Sequence, residues 1–213
     1  MRLLERLMNW IWYTIFFAAL AWSGAFPKDR FTWLLEVAPA LIAVVLLTVT
    51  KRRFPLTPLA YGLVLIHSLI LTIGGHYTYA EVPLFDRLRD LFGWERNNYD
   101  KVGHFAQGFI PAIVAREVLV RQRVVNGRNW LFFITTALCL AISALYELFE
   151  WGTSVMTGEA AEAFLGTQGY VWDTQSDMAF ALIGAVAALL VLGRVHDRQL
   201  IRVAAGNAAE GSR

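Results

Sequence analysis

Six ionisable residues stand out in an otherwise apolar chain: Asp100 and His104 in YDKVGHFAQGF, Glu147 and Glu150 in ISALYELFEW, and Asp173 and Asp177 in VWDTQSDMAF. Within each pair the residues are three or four apart, the spacing that puts side chains on one face of a helix. Carboxylates gathered at low dielectric repel one another, so a shared proton or a cation has to neutralise them. Cations are scarce near these residues in the sequence, and a helical wheel turns Lys101 about 100° away from Asp100, although a stem of that length can curl back. A divalent ion is therefore an expected cofactor, and an oxygen-rich set with one imidazole suits Mg²⁺, Mn²⁺, Ca²⁺ or Zn²⁺. The expected metal ligands are Asp100, His104, Glu147, Glu150, Asp173 and Asp177. Catalysis is expected of Glu147, Asp177 and His104, with a carboxylate such as Glu147 as the base.

Each residue also has a plainer reading. Asp100 and Asp173 could cap helix N-termini, Glu150 could reach water, and His104 could be a hydrogen-bonded packing residue. Glu147 and Asp177 resist that explanation. An ionisable group a turn inside a membrane costs up to about 3 kcal/mol and usually has a partner.

The elements that must position these groups are membrane helices. The 213 residues are 57% hydrophobic and 17% charged, with a mean hydropathy of +0.47, a balance that calls for lipid as a second solvent. Apolar stretches near 8–26, 33–50, 58–75, 102–120, 130–150 and 177–193 predict an all-α, polytopic membrane helix bundle of six spans. The first stretch follows Arg2 and Arg6 and has the look of a signal peptide. Trp10, Trp12 and Trp22 bracket it as interfacial anchors and favour an uncleaved helix. Arg2, Arg6, Lys51, Arg52, Arg53, Arg121, Arg123, Arg128, Arg194, Arg198, Arg202 and Arg213 fall on the side that holds the termini. By the positive-inside rule that side is cytoplasmic, and the ionisable pairs then lie toward the outer leaflet.

Residues 1–203 read as a single membrane domain, and 204–213 as a disordered polar tail. VPLFDRLRDLFGW predicts a short amphipathic helix near 82–93 lying on the membrane surface. The glycine-rich loop 151–175 has room for another short helix. Pro58 suits a first helical turn, and Ala181, Gly184 and Ala188 form a seam on which helices can approach closely. A net charge of +2 excludes nucleic acid as an expected partner. The single cysteine, Cys139, excludes an internal disulfide framework.

YDKVGHF, ALYELFEW and VWDTQSDM, in this order, resemble the signature blocks of the YjdF-type bacterial inner-membrane proteins, over nearly the whole chain. More distantly, the Asp-Lys-x-x-His-Phe opening, the glutamate pair and the final Asp-x-x-x-Asp helix are similar to the VanZ-like membrane proteins, which are linked to glycopeptide-antibiotic resistance. The VanZ-like helix commonly carries Asn where this chain has Asp177 and Met178. These resemblances imply a multi-pass inner-membrane location and a cell-envelope context, and no particular reaction.

Three functions remain open at the level of sequence. One is metal-dependent chemistry at the outer leaflet on a lipid-linked substrate. No Arg or Lys cluster to clamp phosphate, no nucleophilic Ser motif and no HExxH are visible for it. The second is a proton- or cation-coupled transporter. The third is a noncatalytic envelope protein that binds membrane lipid.

Overall fold

The computed structural model describes residues 2–157, 164 and 166–211. Seven α-helices and one 3-10 turn make up its secondary structure, and no strand occurs among the described residues. The helices are α1 (Arg2–Gly24), α2 (Arg30–Thr50), α3 (Pro58–Tyr77), α4 (Pro83–Phe92), α5 (Tyr99–Arg121), α6 (Arg128–Thr157) and α7 (Asp173–Gly211), with the 3-10 turn at Tyr79–Glu81. Four of them, α2, α3, α6 and α7 over Asp173–Ala205, are long and apolar enough to cross a membrane. In α5 the charges of Asp100, Lys101, Arg116, Glu117 and Arg121 dilute an equally long apolar stretch.

Local chemistry explains the boundaries. Pro58 opens α3, where its missing N–H costs nothing. Before α2, Asp29 Oδ1 accepts the N–H of Thr32 at 2.6 Å, a side-chain cap on an orphan donor. Pro83 opens α4, and Gly93 closes it in the left-handed region at φ 66°, its N–H donating to the Arg89 carbonyl. The amphipathic segment near 82–93 thus contains a helix, and no residue of Pro83–Phe92 is buried.

Each of the six long helices outruns at one end or both the apolar stretch that announces it, α6 and α7 most of all at their C-terminal ends. α6 continues to Thr157 and α7 to Gly211, through residues where a polar tail is expected. Hydropathy marks where a segment stops being greasy, whereas the backbone ladder continues wherever propensity allows, and Ala204, Ala205, Ala208 and Ala209 favour it. At its other end α5 begins three residues early, at Tyr99, whose N–H donates to Asn97 Oδ1 at 3.1 Å. Of the 151–175 loop, where a short helix is expected among Gly152, Gly158, Gly166 and Gly169, residues 158–163 and 165 lie outside the described residues.

The chain divides into two compact units. The first comprises residues 1–46, 65–103 and 150–171. Its core gathers Phe16, Ala40, Val44, Leu71, Tyr79, Val82 and Tyr99. Tyr79 lies so close to Gly74 and Gly103 that a Cβ on either glycine would strike its ring. The Tyr99 hydroxyl donates to the Ile70 carbonyl at 2.9 Å, which gives a buried phenol the partner it needs.

The second unit comprises residues 47–64, 104–149 and 172–213. Here α5 and α7 cross in close contact. A Cβ on Gly108 would run into the Ala181 carbonyl, and one on Gly184 into the Phe105 carbonyl. Ala181, Ala185 and Ala188 are completely buried. The seam of small residues therefore does in the structure what its spacing announces: it lets two backbones touch.

Candidate functional site

The α5–α7 crossing brings His104 and Asp177 together, and α6 adds Glu147. His104 Nε2 stands 3.9 Å from Asp177 Oδ2, and His104 Nδ1 stands 3.8 Å from Glu147 Oε1. All three residues are buried. These separations exceed direct hydrogen-bond length. The nearer partner of Nδ1 is Gln107 Oε1 at 3.2 Å, one turn along the same helix. An amide oxygen can only accept, so this contact puts the ring hydrogen on Nδ1 and turns the Nε2 lone pair toward Asp177. On α6, one turn before Glu147, Ser143 Oγ is buried with no hydrogen-bond partner. Thr136 continues that stripe, its hydroxyl donating back to the Phe132 and Phe133 carbonyls.

Of the six expected ligands, the second unit thus unites His104, Glu147 and Asp177, and holds Asp173 buried one turn before Asp177. Asp100 and Glu150 belong to the first unit, both buried. Asp100 remains one turn before His104 on the same face of the continuous α5.

Asp100 is not the cap of its helix. Asn97 takes that role, and the Asp100 carboxylate receives cations instead: Arg96 Nη2 at 3.4 Å and Lys101 Nζ at 3.6 Å. Both cationic side chains are about nine-tenths buried, and both lie against the Tyr170 ring, at 5.6 Å and 5.7 Å from its centroid. This corrects the expectation that cations are scarce at Asp100 and that no Arg or Lys cluster exists. A helical wheel fixes where a side chain leaves the backbone, but a lysine stem is long enough to curl back. Arg96, which precedes the helix, has no place on the wheel at all. Its separation of four residues from Asp100 was the available signal.

A second pairing of histidine with carboxylate is built into the same unit and was not legible in the sequence. Glu117 of α5 and His196 of α7 are completely buried. The Glu117 carboxylate accepts from Thr57 N at 2.9 Å and 3.1 Å, from Thr57 Oγ1 at 2.7 Å, from Arg121 Nη1 at 2.8 Å and from His196 Nε2 at 3.2 Å. Arg116 Nη1 donates to His196 Nδ1 at 3.1 Å, which leaves the ring hydrogen on Nε2, facing Glu117. Arg116 also pairs with Asp197 at 2.5 Å, and Gln199 accepts the Leu59 N–H at 2.9 Å. The network ties the start of α3 to α5 and α7 and satisfies donors that the α3 N-terminus would otherwise leave orphaned.

Comparison with known proteins agrees with the membrane reading. A family described as predicted membrane protein (DUF2238) matches residues 8–198. The inner membrane protein YjdF of Escherichia coli (strain K12) is 51% identical over 183 residues, which span 86% of this chain and 88% of that relative. No solved structure matches the chain. The four apolar helices, the family and the relative's name agree on a multi-pass inner-membrane protein.

Proposed function

This chain belongs to the DUF2238 family of predicted membrane proteins, and from that premise we propose that it binds a divalent cation at His104 and Asp177 and acts with it on a lipid-linked phosphate at the outer leaflet. The observation that carries this reading is the position of His104, whose ring nitrogens stand 3.8 Å and 3.9 Å from carboxylates on two other helices. Two ligands that share one small ion, each at about 2.0–2.2 Å from it, stand roughly 3–4 Å apart. The Nε2–Asp177 spacing falls in that range.

In this reading Nε2 of His104 and Asp177 hold the ion. Gln107 fixes the ring through Nδ1, as outer partners of metal-bound histidines commonly do. A cation held by these residues would supply Lewis-acid chemistry, polarising a phosphoryl oxygen or activating water. Glu147, 3.8 Å from the ring, is the proton acceptor. Asp173, buried one turn before Asp177, adds negative charge that attracts the cation. The protein spans the membrane six times with both termini in the cytoplasm, α1 and α5 joining the four strongly apolar helices. A C-terminal reporter that reads periplasmic would overturn that topology.

Elemental analysis of the full-length protein purified in neutral detergent tests the centre. The expected result is a stoichiometric divalent metal that is lost in His104→Ala and Asp177→Asn and kept in Glu147→Gln. Metal-free wild-type protein after dialysis against each of Mg²⁺, Mn²⁺, Ca²⁺ and Zn²⁺ would sink the reading.

One observation favours a second reading. Arg96 and Lys101 already supply Asp100 with positive charge, so the carboxylates can do without a metal. The site is then a metal-free proton-binding centre serving a coupled transporter. Proton flux in metal-free liposomes, abolished by Asp177→Asn, would decide for it.

A further inference from the structure

Within the first unit, residues 166–170 form a short strap on the start of α5. Gln168 makes two hydrogen bonds to the backbone of one residue: its Nε2 donates to the Asn97 carbonyl at 2.9 Å, and its Oε1 accepts the Asn97 N–H at 3.0 Å. Arg96 Nη2 donates to the Gly166 carbonyl at 3.1 Å. Tyr170 then lies against both Arg96 and Lys101. The tyrosine is 42% exposed, whereas the two cationic side chains are 11% and 10% exposed.

We infer that Arg96 and Lys101 recognise the phosphate of a lipid headgroup and that the 166–170 strap, with Tyr170 against both cations, is a removable cover over them. An arginine fork beside a lysine point charge is a pairing suited to phosphate, which accepts from both. Asp100 Oδ2 lies 3.4 Å from Arg96 Nη2 and 3.6 Å from Lys101 Nζ, so the two cations converge on one point. The cover is fastened chiefly by one neutral side chain. Its backbone is strained at Gln168, which has φ 48°, a left-handed conformation that a residue with a Cβ adopts at a cost.

What makes the phosphate a lipid's is the apolar rim. Leu91, Phe92 and Trp94 precede Arg96, and Val171 follows Tyr170, with exposures of 74%, 61%, 40% and 86%. Exposed large apolar side chains close in sequence to buried cations match a ligand with a charged head and a hydrocarbon body. The assignment rests on the reading of a lipid-linked phosphate substrate.

The full-length protein in neutral detergent is titrated with short-chain phosphatidylglycerol, with monoolein, which has no phosphate, and with inorganic phosphate, following tryptophan fluorescence. Phosphatidylglycerol is expected to bind saturably, to be displaced weakly by inorganic phosphate, and to lose affinity roughly tenfold or more in Arg96→Gln and Lys101→Met. Gln168→Ala, which unfastens the strap, is expected to raise affinity severalfold. A merely structural strap would lower the melting temperature and leave lipid affinity unchanged.

Equal binding of monoolein and phosphatidylglycerol overturns the assignment, as does inorganic phosphate binding as tightly as the lipid. Unchanged affinity in folded Arg96 and Lys101 variants overturns it too. Should those two variants fail to fold, the absence of any gain in Gln168→Ala does the same. Metal content in the His104 variants is a separate readout, so loss of the lipid result leaves the cation centre standing, and the reverse.

Discussion

Helix α5 carries two pairings of histidine with carboxylate, and they differ in a way that composition conceals. At Glu117 the carboxylate is ringed by donors between 2.7 Å and 3.2 Å. At His104 the carboxylates of Glu147 and Asp177 stand back at 3.8 Å and 3.9 Å. Both sets are buried and both draw on α5 and α7. The close set is saturated, and a buried carboxylate with all its lone pairs used has little capacity left for anything but holding helices together. In the second, open set the spacing of His104 from Asp177 is one that a small ion could fill, as proposed above.

Breaking the close set should have the largest effect. Glu117→Ala strands Arg121, His196 and the Thr57 donors in a dry interior, and is expected to cost about 3–5 kcal/mol, read as a large fall in detergent melting temperature. If Glu117→Ala melts like wild type, the contrast between the two regions fails at its firmer end. Next comes the crossing that positions both. Gly108→Ala pushes a Cβ into the Ala181 carbonyl and should cost about 1–3 kcal/mol by overpacking, with weakened metal retention, because α5 and α7 can no longer touch.

The open set should respond the other way. Asp177→Asn is expected to change stability by less than about 1 kcal/mol once metal is removed from all samples, since neutralising one of several buried carboxylates relieves repulsion. Gln107→Ala sharpens the point. Its removal frees the His104 ring and should weaken metal affinity about 10–100-fold while leaving the melting temperature of the metal-free protein in place. The smallest effect is expected at the exposed Lys28–Glu81 ion pair of the first unit, where Lys28→Ala should cost under about 1 kcal/mol.

Much of this was legible in the sequence, and the parts that were not share a cause. Helix positions follow from hydropathy, as at α3, expected at 58–75 and found at Pro58–Tyr77. The contact of Gly184 with α5 follows from the small-residue spacing. The three residues gathered at His104 were named from helical faces, because a face is a one-dimensional property that periodicity records. The Glu117–His196 pairing joins residues 79 positions apart, and no local pattern encodes such a distance. His196 also lies past residue 193, where the last apolar stretch ends, so hydropathy gave no reason to place it in a packed interior. Arg96 and Lys101 at Asp100 illustrate a third limit: long cationic side chains go where charge draws them, and their end point is not set by the helix they leave.

The most direct measurement is the melting temperature of wild type, His104→Ala and Glu117→Gln in detergent, each with chelator and then with excess divalent cation. Cation should raise the melting temperature of wild type and of the weakened Glu117→Gln protein by similar amounts and leave His104→Ala unmoved, because ligand that binds only the folded state stabilises it. A cation-induced rise of equal size in His104→Ala, or none in wild type, would contradict the assignment of the open set as a cation centre.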